Sequence, residues 1–174
     1  MKRFLAVLAL VVGSVVGAAP AAHPLGEGAC TITGTISFTP ESTSRGTWKI
    51  GPAILDCQGV MAARWRITGR GPIRGTGTFS ELPGGGGSCL HHAGTGKLDY
   101  TIPTAGGDIV ISEQSGYTLA GAGALTTPTL NGPLELIPPF DGDCVTKPVT
   151  RATFLAQVTL LRNPEVPDPR LLIP

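Results

Sequence analysis

From residue 30 the chain alternates strictly. Cys30, Ile32, Gly34, Ile36 and Phe38 share one parity, and Thr31, Thr33, Thr35, Ser37 and Thr39 share the other. That is the period of a half-buried β-strand rich in β-branched residues. Pro40 to Ser44 reads as a turn. The run Thr47 to Cys57 carries Trp48, Ile50, Ile54 and Leu55 but is interrupted by Gly51-Pro52. Proline cannot donate to a ladder, so this predicts either an edge strand or a bulge. Met61 to Thr68 sets Trp65 and Ile67 against Arg64, Arg66 and Thr68. After Gly69 to Pro72, the residues Ile73, Gly75, Gly77 and Phe79 oppose Arg74, Thr76, Thr78 and Ser80. These two runs are expected to pair as a hairpin. Pro83 to Ser88, with its four consecutive glycines, is a loop. Lys97 to Ile102, Asp108 to Glu113, Tyr117 to Thr126, Leu130 to Ile137 and Val149 to Leu161 bring the total to roughly nine or ten strands, and no long segment keeps a helical period.

The strands share a short element: Thr33-Gly34-Thr35-Ile36-Ser37-Phe38, then Gly75-Thr76-Gly77-Thr78-Phe79, then Gly94-Thr95-Gly96-Lys97-Leu98-Asp99-Tyr100. Its glycines fall on the parity of the apolar residues and so are expected to face inward, where they allow strong coiling and close approach of the opposite wall. The expected fold is all-β, an antiparallel barrel of about nine or ten strands, with a β-sandwich as the alternative.

The first residues change the picture. Lys2 and Arg3 precede an apolar run from Phe4 to Val16, and Gly17, Ala18, Ala19, Pro20, Ala21 and Ala22 follow, in the order of a secretory signal with Ala19-Pro20-Ala21 as its cleavage site. The apolar run is shorter than the roughly 20 residues of a spanning helix, and no second run reaches that length. Residues 1–21 are therefore expected to be a signal peptide, 22–162 a single all-β domain and 163–174 a Pro-rich disordered tail, with Pro164, Pro167 and Pro169 unable to join a ladder. The mature chain is expected to be secreted or held in the cell envelope, without a transmembrane segment. Lys and Arg number 13 and Asp and Glu 12, and loss of Lys2 and Arg3 leaves 11 against 12, or −1. A nearly neutral chain has no electrostatic bias toward nucleic acid or anionic membrane, and nucleic acid is excluded as a partner class.

Four cysteines without a C-x-x-C spacing in an exported chain predict two disulfides rather than a metal site. Of the three possible pairings, Cys30 with Cys57 and Cys89 with Cys144 is favoured, because Cys30 opens one strand and Cys57 closes the next.

Candidate chemistry is sparse. Gly86-Gly87-Ser88-Cys89-Leu90 lacks the final glycine and following helix of a hydrolase nucleophile elbow. His91 and His92 would need a third ligand such as Asp99, Asp141 or Asp143 to hold a metal, and as neighbours on a strand they point to opposite faces. Two loop histidines are the simpler account. Asp141-Gly142-Asp143 lacks the later positions of a calcium loop. Arg64, Arg66 and Arg70 share parity and form the candidate binding stripe, suited to phosphate or carboxylate groups. A solvated edge that discourages aggregation accounts for the same pattern. No catalytic residue, metal ligand or cofactor is assigned.

These features together resemble exported β-rich proteins of actinobacteria, including mycobacteria, which have Gly-Thr-Gly strands, two cysteine pairs and an Ala-rich signal. The resemblance implies an extracytoplasmic all-β protein and carries over no catalytic residue. The functional expectation is a secreted non-catalytic domain acting by surface binding, its partner unknown and an anionic envelope glycan or lipid the suggested class. The alternatives are a barrel that carries a small apolar or lipid ligand and, behind it, a hydrolase or metal-dependent enzyme using His91 or His92.

Overall fold

The alternation seen in the sequence becomes the wall of a closed barrel. The computed structural model describes residues 28–42, 45–61, 65–83, 91–120, 123–142 and 147–161. Every element among them is a strand: β1 (Ala29–Ser42), β2 (Arg45–Gln58), β3 (Val60–Met61), β4 (Trp65–Arg66), β5 (Arg70–Glu81), β6 (His92–Thr104), β7 (Gly107–Leu119), β8 (Gly123–Thr126), β9 (Leu130–Ile137) and β10 (Arg151–Leu160). Eight of them close into one antiparallel barrel in the order β1-β10-β9-β8-β7-β6-β5-β2, and β3 and β4 pair apart from it. The expected barrel is therefore the fold, and the sandwich alternative falls. The expected signal 1–21, the glycine loop from Gly84, Cys89, Cys144 and the tail 163–174 lie outside the described residues.

Parity sets the inner face. Cys30, Ile32, Ile36 and Phe38 of β1 are buried, as are Trp48, Ile50, Ala53, Leu55 and Cys57 of β2. Inward positions three apart, Ile50 and Ala53, mark a bulge at Gly51-Pro52, where the β1–β2 and β2–β5 registers both shift. Gly51 there has φ +149°, in a region that L side chains avoid. The bulge reading of that dipeptide holds, since β2 has a partner on each side.

Two strand expectations change. Met61 to Thr68 does not pair with Ile73 to Ser80, because β5 is flanked by β2 and β6. Gly59, at φ +99°, turns the chain out of the barrel wall instead. The excursion then folds across the end of the barrel, burying Met61, Trp65 and Ile67. Main-chain bonds fasten it there: Ile67 N donates to Gly59 O at 3.1 Å, Thr68 N to Pro103 O at 3.0 Å and Ala105 N to Arg66 O at 2.9 Å. Its apolar alternation serves a plug rather than a wall. Tyr117 to Thr126 is likewise not one strand. Tyr117 belongs to β7, which has absorbed the expected Asp108–Glu113 strand, and β8 begins only at Gly123.

Cys30 and Cys57 are direct cross-strand partners with Cα atoms 4.0 Å apart, and they form the expected disulfide. The bond requires an oxidising environment. Loss of the link should cost about 2–4 kcal/mol, near the roughly 3.6 kcal/mol upper figure for the entropy of a loop this long. The check is urea unfolding of a Cys30→Ala/Cys57→Ala variant beside reduced wild type. Equal midpoints for oxidised wild type and the double variant would show that the disulfide contributes nothing.

Aromatic rings lie flat against glycine in the barrel. A Cβ placed on Gly96 would stand 2.6 Å from Trp48 Cζ2, and one on Gly77 2.7 Å from Trp48 Cε2. The indole thus rests on main chain and donates from Nε1 to Thr78 O at 3.1 Å. An interior cavity among the described residues, bordered by Ile36, Trp48, Leu98, Leu134 and Phe154, has a volume of ≈ 20 Å³, room for about one water.

Candidate functional site

The two barrel ends carry different chemistry. At the end where β6 begins, His92 is buried among rings. Its centroid lies 5.3 Å from Phe38, 4.9 Å from Phe79 and 5.6 Å from Tyr117, and its Nδ1 is 3.2 Å from Tyr117 Oη. Burial pushes the Tyr117 phenol far above its usual range, so it stays protonated. The parity His92, Gly94, Leu98, Tyr100 and Ile102 carried the signal for this inward placement.

The structure does not assemble a metal site from the residues considered for one. His91 and His92 are consecutive, and only His92 is fully buried. Asp99 faces outward, where Ser112 Oγ donates to it and Lys97 Nζ stands 3.3 Å away; these two hold its carboxyl below the ordinary range. Asp141 accepts from the Thr150 hydroxyl, from Thr150 N at 2.8 Å and from Arg151 N at 3.0 Å. These bonds, the hydroxyl first, lower it too, and they tie the loop before β10 to its first residue. Asp143 lies outside the described residues. Among the described residues no group of three His, Cys, Asp or Glu side chains is placed to hold a metal ion.

At the disulfide end the structure redistributes the candidate arginines. Arg66 sits in β4 on the plug and Arg70 opens β5, so no continuous strand joins them, and Arg64 lies outside the described residues. Asp56, directly opposite Arg70 in the β2–β5 ladder, takes its guanidinium at 2.7 Å from Nε to Oδ2. Arg66 is exposed, and no described carboxylate pairs with it. It borders an open groove of ≈ 600 Å³ together with Asp56, Gln58, Thr68 and the Cys57–Val60 turn. Among the described residues the groove therefore presents a guanidinium without a carboxylate partner, a hydroxyl and an amide, and its one lining carboxylate, Asp56, is paired with Arg70.

A second polar cluster is one that sequence reasoning missed. Glu113 shares inward parity with Ile109 and Ile111, and its Oε1 accepts from Tyr100 Oη at 2.6 Å. Burial, then the Glu113 carboxylate, drive the Tyr100 phenol well above its normal value, and the Thr127 and Thr129 hydroxyls approach the same oxygen. A carboxylate on an apolar parity was the available signal. Thr127 Oγ1 also caps its own turn, accepting from Leu130 N at 2.6 Å and Thr129 N at 3.1 Å. The cluster lies where β7 meets the β8–β9 hairpin, and its bonds join barrel walls.

Comparison with family models, with curated proteins and with solved structures returns no match to this chain.

Proposed function

We propose that this chain is an exported, non-catalytic binding domain that meets its partner on the outside of the barrel, at the groove beside Arg66. The observation that carries the reading is the contrast between two spaces bordered by described residues: an interior cavity of ≈ 20 Å³ and an open groove of ≈ 600 Å³ beside the Arg66 guanidinium, which no described carboxylate pairs. A carrier of small apolar molecules needs an enclosed site of about 300 Å³ or more, which the interior cavity bordered by described residues does not supply. The signal-like first 21 residues and the disulfide support export, and the Gly-Thr-Gly strands support placement with the actinobacterial exported proteins the chain resembles. The partner class that fits Arg66 and Thr68 is a phosphate- or carboxylate-bearing envelope lipid or glycan.

Co-sedimentation with vesicles of phosphatidylglycerol and phosphatidylcholine tests the reading. Binding should weaken severalfold between about 0.05 and 0.5 M salt, as the Debye length falls from roughly 14 to 4 Å. Arg66→Gln should remove most of it, while Arg70→Gln, which leaves the Asp56 carboxylate at the groove without its partner, should weaken it by adding one net negative charge there. Both exposed substitutions should leave the melting temperature nearly unchanged. Wild-type protein that binds neither these vesicles nor anionic envelope glycan in a salt-sensitive way would overturn the proposal.

A further inference from the structure

The chain is nearly neutral as a whole, yet its charges are unevenly spread over the barrel. The wall made by β2, β5, β6 and β7 turns Lys49, Arg70, Arg74 and Lys97 outward. Two carboxylates on it are already taken: Asp56 by Arg70 at 2.7 Å and Asp99 by Lys97 at 3.3 Å. Glu81 and Glu113 stand on the inward parity, and at the far end Arg45 is paired with Glu41 at 3.8 Å. Asp108 is the one other outward carboxylate of these strands. Among the described residues Lys49 and Arg74 have no carboxylate partner, and neither has Arg66 on the adjoining plug. Overall neutrality thus hides a face with an excess of uncompensated cations.

Those cations flank exposed aliphatic side chains. Along the outer face of β5 the order from the disulfide end is Arg70, Pro72, Arg74 and Thr76, each about 6.6–6.8 Å beyond the last. Ile54 is the register partner of Pro72, while Lys49 and Lys97 are both partners of Thr76. Val110 pairs with Thr101 of β6, two residues from Pro103, whose carbonyl accepts from Thr68 of the plug. Ile54 is 48% exposed and Val110 76%, and of the large hydrophobic side chains exposed among the described residues only Leu161 lies elsewhere. Arg66 and Arg70 therefore stand on one side of the two aliphatics, and Arg74, Lys49 and Lys97 on the other.

We propose that this wall is the face the protein lays against a bilayer of anionic lipid, with Val110 and Ile54 entering the interface and Lys49, Arg66 and Arg74 on lipid phosphates. The inference rests on the reading of the Arg66 groove as an anion site and selects the lipid surface from the two partner classes named there. Its ground is the combination of groups. A soluble anionic glycan would use the cations and hydroxyls but gain nothing from Val110, and no aromatic ring faces outward from these strands for a sugar to stack on. A bilayer surface uses both kinds of group, because aliphatic side chains enter the headgroup and acyl boundary while long cationic ones reach phosphates from either side. The barrel then rests on its side, and its opposite wall, β10 included, stays in water.

Fluorescence on vesicles of phosphatidylglycerol and phosphatidylcholine reads the contact directly. The indole of a Val110→Trp variant should shift its emission to the blue on binding and be quenched by lipid brominated along the acyl chain. Thr153→Trp, exposed on β10, should show neither effect. Val110→Ser should weaken vesicle binding about tenfold, the size expected for an aliphatic side chain withdrawn from the interface. Lys49→Gln with Arg74→Gln should weaken it by about tenfold or more. These positions are exposed, so melting temperatures should stay nearly unchanged. Vesicle binding that Arg66→Gln removes but these changes leave intact, with the Val110→Trp indole unquenched, would overturn the proposal and keep the groove reading. So would wild-type protein that binds soluble hyaluronate but no vesicle, or that binds phosphatidylcholine alone equally well. Wild type that binds neither anionic vesicles nor anionic glycan would end both readings.

Discussion

Raising the pH past 10 should release no tyrosinate absorbance until the barrel unfolds, and then both phenols should titrate together. The chain has two tyrosines, Tyr100 at 2% and Tyr117 at 6% exposure. Burial drives both far upward, and the Glu113 carboxylate 2.6 Å from Tyr100 Oη adds to the effect there. Below the unfolded value of 10 both states keep the phenolic protons, so these groups impose no pH dependence. Above it the unfolded chain loses protons that the folded barrel retains, and stability falls by about 1.4 kcal/mol per pH unit per tyrosine, or about 2.7 for the pair. A domain near the lower end of the usual 5–15 kcal/mol loses its margin within about two units. Near-ultraviolet absorbance and circular dichroism followed together should therefore show one steep, coincident transition, and Tyr100→Phe should halve its pH slope. A gradual titration centred near 10, with the strands intact, would show that the phenols are open to solvent.

That expectation rests on where the tyrosines point, and their parity was visible in the sequence. Tyr100 follows Leu98 and Tyr117 follows Ser115 on the inner face, and the same period-two reading located β1, β9 and the inward glycines. Alternation is a local property of each strand, set by the pleat, so it survives in isolation. Partner choice is not local. The run Met61 to Thr68 alternates as well as any barrel strand, yet it forms a plug, because Gly59 turns it out of the wall and the barrel end offers Trp65 and Ile67 a place to bury. Nothing in the period distinguishes these destinations. The break between β7 and β8 was hidden for a related reason: Tyr117 to Thr126 keeps enough β-forming residues to read as continuous, and the turn becomes necessary only when the barrel must close.

The site was less legible than the fold. Arg64, Arg66 and Arg70 share parity, but parity aligns side chains only along an uninterrupted strand, and the chain leaves β4 at Arg66 before β5 begins. The cross-strand register that puts Asp56 against Arg70 comes from the barrel's order, not from either segment. In contrast, Cys30 and Cys57 could be matched early because a simple hairpin fixes their pairing. The short β8, which pairs with β7 at only three positions, lay beyond sequence reasoning altogether, since its length is set by how the barrel closes.

Gly96→Ala should destabilise the barrel by about 3 kcal/mol or more, at the top of the range for an inserted methylene, although Ala is a better strand residue. The added carbon would lie 2.2 Å from Thr76 O, 2.6 Å from Trp48 Cζ2 and 2.7 Å from Gly77 Cα. Two of these three atoms are main chain of β5, so turning a side chain cannot make room, and β5 and β6 must separate where they are paired at Gly77↔Gly96. The indole cannot yield freely either, because it is tied to Thr78 O and packs edge-on against Tyr117 at 5.6 Å. The matched control is Gly116→Ala, on the adjoining strand. A Cβ there meets nothing nearer than Gly94 O at 3.9 Å, so the change should be neutral or should stabilise by about 0.4–1 kcal/mol through the lost freedom of the unfolded chain. The same substitution thus has opposite signs at two positions set by what stands opposite each glycine. Urea unfolding followed by tryptophan fluorescence measures both. Equal midpoints for the two variants would show that the inner wall has slack at Trp48, and the close-packed account of the glycine strands would then be wrong.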